Sequence, residues 1–296
     1  MEFKRATYES SEHIRLPHWF KQRFPKPETM VTMKGLLEEL GLNTICQSAL
    51  CPNIGQCFSR KTATFLILGD ICTRHCTFCA VEKGCPLPVD GDEPQQIVTA
   101  AATLRLNYVV ITSVTRDDLP DGGAYQFART TSLLHEKGMA AEVLIPDFLG
   151  STEALKAVVE SSPEVLNHNV ETVPRLYPEV RPEADYLRSL QLLSRVKTQA
   201  GIITKSGLML GLGETRDEVI RVMQDLREAG CDLVTIGQYL QPSPKHHPVS
   251  RFVPPEEFSR YEQIGQEMGF TAVVSAPQVR SSFKAAELYT RTKDSL

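Results

Sequence analysis

Three cysteines in one short loop are the residues of this sequence most able to do chemistry. Cys72, Cys76 and Cys79 form a C-x3-C-x2-C run directly after an apolar stretch. Three thiolates at this spacing can hold three irons of a [4Fe–4S] cluster and leave the fourth iron open to a small molecule. The alternative is a zinc ion completed by His75 or Cys85, since three cysteines and a histidine are a common structural zinc set.

A second group of cysteines lies upstream. Cys46, Cys51 and Cys57 have the spacing C-x4-C-x5-C, and Pro52 and Gly55 between them can bend the chain. This group predicts a second cluster, although zinc, or thiols that complete the first site, are alternatives that the spacing leaves open. Six of the eight cysteines fall between positions 46 and 79 of a long chain, which favours reduced, metal-binding thiolates over disulfides.

Repeated strand and helix patterns must position these cysteines. From residue 62 onward, short β-rich runs are each followed by a longer helical pattern. The predicted strands are 63–68, 108–112, 141–145, 165–169, 203–210, 233–236 and 272–275. The predicted helices are 30–40, 94–106, 124–137, 152–160, 184–200, 215–229 and 255–268. The pattern predicts an α/β fold, a partial or full TIM-type barrel of parallel strands, with its chemistry at the carboxyl ends of the strands.

Composition and charge are those of an ordinary folded chain. The 296 residues are 42% hydrophobic and 23% charged, which favours neither disorder nor a membrane protein. A formal net charge of -4 gives no reason to expect nucleic acid as a partner. The apolar runs are too short to cross a bilayer, and the first residues lack the apolar segment of a secretory signal. A cytoplasmic protein without a membrane or nucleic-acid partner is therefore expected.

The C-x3-C-x2-C loop, with Phe78 before its last cysteine, resembles the radical SAM superfamily. In that superfamily the open iron binds the amino and carboxylate groups of S-adenosylmethionine (SAM), whose reductive cleavage gives methionine and a 5′-deoxyadenosyl radical. The resemblance implies that Cys72, Cys76 and Cys79 hold the SAM-binding cluster. It also implies that Phe78 packs beside the adenine or the cluster, and simple loop packing is the alternative for this side chain.

The upstream triplet and an R-S-S-F sequence at 280–283 together resemble the lipoyl synthase family. In that family three cysteines and one serine hold an auxiliary [4Fe–4S] cluster, so the resemblance implies two clusters in all. The implied auxiliary ligands are Cys46, Cys51, Cys57 and Ser282. The family's motif usually ends in tyrosine, and Phe283 here removes a hydroxyl but leaves both serines. Without the resemblance, the serines would be interpreted as a loop or a helix N-cap.

The same resemblance implies a set of SAM contacts that follow predicted strands. These are Thr112, Ser113, Asn169, Glu171, Arg181 and Lys205. Asn169 and Glu171 are the foremost candidates, with helix capping and a solvated surface position as their alternatives. Arg181 and Lys205 could neutralise carboxylates in the site or be surface charges. Apart from the cluster ligands, no catalytic side chain is expected.

The activity that the resemblance implies is insertion of sulfur at carbons 6 and 8 of an octanoyl group. The implied substrate is a lysine-bound octanoyl group on a lipoyl carrier domain or on the glycine cleavage H protein, and the auxiliary cluster is the implied sulfur source. A flavodoxin or ferredoxin is the implied electron donor. The implied organisation is a cluster-binding extension at 1–61, a radical SAM barrel at 62–276 and a C-terminal segment at 277–296. The alternatives are another two-cluster radical SAM enzyme and an electron-transfer module that makes no radical.

Overall fold

A computed structural model describes residues 16–20, 27–198 and 201–293 of the chain. In chain order its strands are β1 (Asn43–Thr44), β2 (Thr64–Ile67), β3 (Ile71–Cys72), β4 (Glu82–Lys83), β5 (Tyr108–Ser113), β6 (Ala140–Leu144), β7 (Val165–Asn167), β8 (Ile203–Leu210), β9 (Leu233–Gln238) and β10 (Ala272–Ser275). Its α-helices are α1 (Pro27–Glu39), α2 (Ile45–Ser48), α3 (Ile54–Ser59), α4 (Glu93–Leu104), α5 (Ala124–Glu136), α6 (Thr152–Glu160), α7 (Tyr177–Val180), α8 (Tyr186–Lys197), α9 (Arg216–Glu228), α10 (Pro255–Glu267) and α11 (Ala285–Lys293). Short 3-10 helices occupy His18–Phe20, Phe148–Gly150 and Pro174–Leu176.

Seven of the strands form one parallel sheet in the order β2-β5-β6-β7-β8-β9-β10. β1 pairs antiparallel with β2 at one edge, and β3 pairs with β4 beside the first cysteine loop. Within the described residues, no hydrogen-bonded strand pair closes β10 onto β2, so the sheet is a partial barrel. The predicted α/β class with parallel strands is confirmed.

The long helices are found where their patterns predicted them, with ends that differ by a few residues. The helix predicted at 184–200 is α8, which ends at Lys197, and the predicted end at 199–200 lies outside the described residues. The extension before residue 62 contains β1 and the short helices α2 and α3, which the sequence did not predict. A strand of two residues and helices of four and six residues are too short to show a periodic pattern.

Helix α9 shows how local sequence sets an element against the sheet. Thr215 and Glu218 form a capping box that satisfies free backbone N–H groups at its first turn. The buried apolar positions at 219, 222, 223 and 226 then follow the helical repeat and face the core.

Among the described residues, no helix is long and apolar enough to cross a membrane.

Alternation along the strands separates an outer apolar layer from an inner face. Val109, Ile111 and Val143 belong to the core between sheet and helices. Glu142, between them in the register of β6, is fully buried and faces the inside of the barrel together with Lys205 of β8. The inner face therefore carries polar groups that the outer layer does not.

Helix α11 covers the lower end of this inner face. Its Leu288 packs with Val165, Ile203 and Leu233 in a small apolar cluster. Its Tyr289 ring stacks on Tyr108 of β5, with ring centroids 5.1 Å apart. The carboxyl ends of the strands, at the opposite end of the barrel, are left for the cysteine loop.

Candidate metal and cofactor site

The loop at 72–79 is fastened on two sides at the carboxyl end of the sheet. Thr73 donates from both its backbone N and its hydroxyl to the Thr115 carbonyl, each at 3.0 Å. Thr77 donates its backbone N to the Val180 carbonyl at 2.9 Å. These bonds join the loop to the segment after β5 and to the end of α7.

A buried arginine inside the loop adds a charged anchor. Arg74 is 5% exposed and donates to Asp117 at 2.7 and 3.0 Å and to Asp147. Burial alone would raise the pKa of Asp147, but its bond to Arg74 holds that pKa at about 2. Charge-assisted bonds of this kind are strong in a low dielectric, so they fix the loop against β5 and β6.

The loop thiols are buried enough to resist ionisation on their own. Burial raises the pKa of Cys76 to about 11, partly offset by Arg181, and that of Cys79 to about 12. The Glu171 carboxylate raises both values further, so it lies close to these thiols. Metal binding requires thiolates, and a cluster bound here must therefore displace protons.

The zinc alternative requires four donors that converge on one point. Within the described residues, no three Cys, His, Asp or Glu side chains converge as the ligands of one metal ion do. Thiolates on one zinc lie at about 2.3 Å from a single point, whereas a four-iron cluster spreads its thiolates over separate irons. His75, one of the two residues that could complete a zinc site, bonds Glu183 through Nδ1 at 3.0 Å.

Asn169 and Glu171 lie beside the loop just after β7. Asn169 donates from Nδ2 to Glu171 Oε1 at 3.0 Å, and the Glu171 backbone N bonds the Gly207 carbonyl at 3.0 Å. Glu171 has a φ of 64°, a left-handed conformation that is strained for a side chain of this kind and that often marks a functional site. Burial raises the pKa of Glu171, and Arg181 opposes that rise.

Arg181 is buried against the same pair. Its Nη1 donates to the Asn169 carbonyl at 2.9 Å, and its guanidinium lies over the Tyr177 ring. Arg181 is 8% exposed, so its alternative as a surface charge is wrong. The structure thus brings together Asn169, Glu171 and Arg181 beside the cysteine loop.

The structure places the other expected SAM contacts, which are Thr112, Ser113, Phe78 and Lys205, in different surroundings. Thr112 donates to the Leu144 carbonyl at 3.0 Å inside the sheet, and Ser113 follows it at the end of β5. Phe78 packs on the core built around α9 and β9, as loop packing predicts. Lys205 does not join the group, because its Nζ donates to Glu142 Oε1 at 2.8 Å with both side chains almost wholly buried.

Several buried polar atoms near the carboxyl ends of the strands have no hydrogen-bond partner among the described residues. These atoms are Ser113 Oγ, Asn167 Oδ1 and Nδ2, Asn169 Oδ1, Thr172 Oγ1, Arg181 Nε and Ser275 Oγ. Each unsatisfied buried group costs about 1–3 kcal/mol. A ligand rich in donors and acceptors, as SAM is, would satisfy such groups. Asn167 was missed by the sequence reasoning, although a polar residue inside a predicted buried strand was a signal for it.

The second cysteine group forms its own cavity, of about 120 Å³. Short helices present the thiols: Cys46 lies in α2, Cys57 lies in α3, and Cys51 donates its backbone N to the Cys46 carbonyl at 3.0 Å. Ser282 lines the same cavity. Burial, with the neighbouring Cys51, raises the pKa of Cys46 to about 12 and that of Cys57 to about 11.

Contacts across the chain hold the serine segment at this cavity. Asn53, between Cys51 and Cys57, donates from Nδ2 to the Gln278 carbonyl at 2.6 Å. The serine and the three thiols are therefore neighbours although they are more than 200 positions apart in the sequence. Three thiols and one hydroxyl therefore line one cavity.

Comparison with known proteins identifies the chain's relatives. The model of the radical SAM superfamily matches residues 66–226. Lipoyl synthase from Caldanaerobacter subterraneus subsp. tengcongensis is 58% identical over 92% of this chain and 96% of its own. Lipoyl synthases from Alkaliphilus metalliredigens and Chlorobium phaeovibrioides are 51% and 52% identical over 92% and 93% of this chain, and 95% and 98% of theirs.

Solved structures show a likeness of fold. Streptococcus suis SuiB bound to its precursor peptide SuiA has a TM-score of 0.58 at 10% identity, over 94% of this chain and 60% of that one. SuiB bound to S-adenosylmethionine has a TM-score of 0.54 at 11% identity, over 81% of this chain and 57% of that one. At such low identity the likeness concerns the fold alone.

Proposed function

This chain belongs to the lipoyl synthase family of the radical SAM superfamily, and we propose that its two cysteine sites work together in one sulfur-insertion reaction. The reaction of the family adds two sulfur atoms, at carbons 6 and 8 of an octanoyl group on a carrier protein. The enzyme uses SAM and a [4Fe–4S] cluster. The second cluster, the ligands of both clusters and the identity of the carrier are the proposed parts.

The observation that carries the proposal is the cavity shared by Ser282 and three cysteines. In our proposal Cys46, Cys51, Cys57 and Ser282 hold an auxiliary [4Fe–4S] cluster that serves as the sulfur-donating substrate. A serine alkoxide is harder than a thiolate and a poorer match for iron in a sulfide cluster. That bond is the one best suited to yield when sulfur leaves the site.

At the other site, Cys72, Cys76 and Cys79 would hold the cluster that binds SAM. When bound, this cluster and SAM supply the radical that removes hydrogen from the octanoyl chain. The carboxylate of Glu171 and the guanidinium of Arg181 present opposite charges, as the amino and carboxylate groups of SAM require. Asn169 orients Glu171 through its 3.0 Å bond.

The remaining residues enclose the reaction. The buried ends of β5, β7 and β10 supply hydrogen-bonding groups for SAM, and the apolar packing of Phe78 limits the access of water. Exclusion of water protects a reactive carbon radical from side reactions. Thr112 and Ser113 are proposed to line the enclosed SAM site at the carboxyl ends of the strands. Lys205 is proposed to stabilise the barrel beneath that site.

The partners follow from the reaction that the family carries out. The octanoyl group is proposed to arrive on a lysine of a lipoyl carrier domain or of the glycine cleavage H protein. A flavodoxin or ferredoxin is the proposed electron donor. Residues 1–61 would supply three ligands of the auxiliary cluster, and residues 277–296 would supply the fourth. The two terminal segments of the chain would therefore meet at one cluster site.

The test is an anaerobic incubation with SAM, a strong reductant and an octanoyl-lysyl peptide, followed by mass spectrometry of the peptide and of 5′-deoxyadenosine. Wild-type enzyme should add two sulfur atoms per peptide. Cys46→Ala should still form 5′-deoxyadenosine but no thiolated peptide, and Cys76→Ala should form neither. Cys85→Ala is the matched control, because Cys85 is exposed and belongs to neither triplet, and it should behave as wild type.

Each variant can contradict one part of the proposal. Thiolated peptide from Cys46→Ala would refute the auxiliary site, and 5′-deoxyadenosine from Cys76→Ala would refute the SAM site. Deoxyadenosine without thiolated peptide from wild-type enzyme would retain the radical chemistry and exclude this peptide as substrate.

A further inference from the structure

The segment at 276–283 connects β10 to α11 and passes between the end of β9 and the auxiliary cysteine site. The Gln238 backbone N, at the end of β9, donates to the Pro277 carbonyl at 3.2 Å. On the other side, Asn53 of the auxiliary loop donates to the Gln278 carbonyl at 2.6 Å. The segment is thus tied to the barrel and to the auxiliary site by consecutive residues.

A glycine in β9 sets how closely this segment approaches the sheet. A Cβ at Gly237 would overlap the Val279 carbonyl oxygen and would lie 3.3 Å from Arg280 Nη1. The backbone at 279 can therefore pack directly on β9 only because residue 237 has no side chain. This contact directs the Arg280 side chain over the end of β9.

Arg280 lies between groups of the two sites. Its Nη1 donates to the Val279 carbonyl at 2.6 Å, and its side chain lines the cavity of the auxiliary cysteines. Gly237 lies opposite Met209 of β8 in the sheet register, and the Met209 backbone N donates to the Glu171 carbonyl at 2.8 Å, so Arg280 lies one strand away from Glu171 of the SAM side. Burial raises the pKa of Glu171, and the charge of Arg280 opposes that rise. Two residues further on is Ser282, the proposed fourth ligand.

We propose that Arg280 is a positioning residue that fixes the SAM site and the auxiliary site relative to each other. Its guanidinium attracts the Glu171 carboxylate on one side and lines the cavity of the auxiliary cysteines on the other. Its backbone carries the chain to Ser282. A guanidinium is planar, always charged and presents donors in several directions, so one arginine can contact groups of two sites at a set separation.

The separation matters because the substrate radical must meet a sulfur atom of the auxiliary site. A misplacement of about 1 Å between reacting groups can cost about 10²-fold in rate. Formation of 5′-deoxyadenosine needs only the SAM site, whereas sulfur insertion needs both sites in register. The proposal rests on the function proposed above. It adds that one residue, Arg280, fixes the positions of the SAM site and the auxiliary site relative to each other.

The test compares Arg280→Gln, which removes the charge, with Arg280→Lys, which keeps it. The measured quantity is the number of sulfur atoms inserted per 5′-deoxyadenosine formed, together with iron content per chain and the thermal midpoint. We expect Arg280→Gln to lower this ratio by about tenfold or more, because misplaced reacting groups slow sulfur insertion more than they slow the formation of 5′-deoxyadenosine. Arg280→Lys should restore part of the ratio.

Gly237→Ala tests the same geometry without changing any charge, and it should lower the ratio by pushing Val279 and Arg280 away from β9. The matched control is Arg260→Gln, since Arg260 is an exposed arginine of α10, and its ratio should equal that of wild type.

The outcomes separate the two levels of the proposal. A wild-type ratio in Arg280→Gln would overturn the positioning role alone. So would an equal loss of both products together with iron or thermal stability, because that result would mean that Arg280 only supports the fold. Wild-type enzyme that makes no thiolated peptide would overturn the proposed function, and the positioning role with it.

Discussion

The ion pair between Lys205 and Glu142 is central to the stability of the barrel. Lys205 Nζ and Glu142 Oε1 are 2.8 Å apart, and the side chains are 0% and 1% exposed. The Tyr108 hydroxyl donates to the other carboxylate oxygen at 2.7 Å. In Lys205→Met the Glu142 carboxylate stays buried but loses the cation with which it pairs. Breaking one half of a buried pair costs about 3–5 kcal/mol, so we expect the free energy of unfolding to fall by that amount.

Two further variants isolate the charge as the cause. Lys205→Met/Glu142→Gln removes both charges and leaves an amide that Tyr108 can still bond, so the loss should shrink to less than about 2 kcal/mol. Lys156→Met is the exposed control: its pair with Glu160 spans 3.6 Å, with side chains 69% and 65% exposed. That control should change the free energy of unfolding by less than about 0.5 kcal/mol.

Urea unfolding of anaerobic protein, followed by circular dichroism, measures these differences, and calorimetry measures SAM binding separately. The expected result is a large loss of stability in Lys205→Met that is mostly recovered in the double variant. If Lys205→Met kept the wild-type free energy of unfolding and lost SAM affinity, the structural reasoning would be refuted. Lys205 would then be the cofactor contact that the sequence predicted.

Stability near the same loops should also respond to pH and to glycine substitution. Burial and a nearby guanidinium lower the pKa of His168 to about 4. The contribution of neutral His168 to the free energy of unfolding is therefore complete above about pH 6.5 and is lost as the pH falls toward 4. Urea midpoints of His168→Asn should lack this fall between pH 6.5 and 4. Burial would raise the pKa of Asp147, but its contacts with arginine outweigh burial and hold that pKa at about 2. The contribution of Asp147 to the free energy of unfolding is therefore present above about pH 4 and is lost toward pH 2. The stability of Asp147→Asn should depend less on pH in this acid range, and an unchanged dependence would contradict this. Gly123→Ala, at φ 89°, would drive a Cβ into Leu68, whereas Gly138→Ala, at φ 71°, would meet nothing within 4 Å. Thermal midpoints should therefore fall further for Gly123→Ala, and equal midpoints would argue against that packing.

The parts of the fold that follow a local pattern could be predicted from the sequence. Helix α9 has both a capping box and a buried apolar repeat, and its bounds were found to within one residue at each end. Strand β7 was predicted two residues too long. The ring of His168, the next residue, bonds the Ile145 carbonyl and the Ser189 hydroxyl, each at 2.9 Å. These partners lie more than 20 positions away, where no local pattern can show them.

The same limit applies to the charged residues of the site. Single arginines and lysines are usually solvated, and nothing local distinguishes Arg181 or Lys205 from that rule. Their burial depends on Asn169, which follows β7, and on Glu142 of β6. The cysteine spacing, in contrast, is local, so Cys72, Cys76 and Cys79 could be grouped from the sequence. Their role as cluster ligands remains a prediction that the enzymatic variants test.

The two cysteine sites differ in how firmly the chain holds them. The loop at 72–79 is anchored by backbone bonds and by a buried arginine with two carboxylate partners. The serine of the auxiliary site arrives on the segment at 276–283, whose hydrogen bonds with Asn53 and Gln238 are neutral and whose one charged side chain is that of Arg280. Regions with fewer strong contacts open at lower free energy than the surrounding core. The auxiliary site should therefore open while the SAM site stays intact, as the proposed loss of sulfur from one site and reuse of the other require.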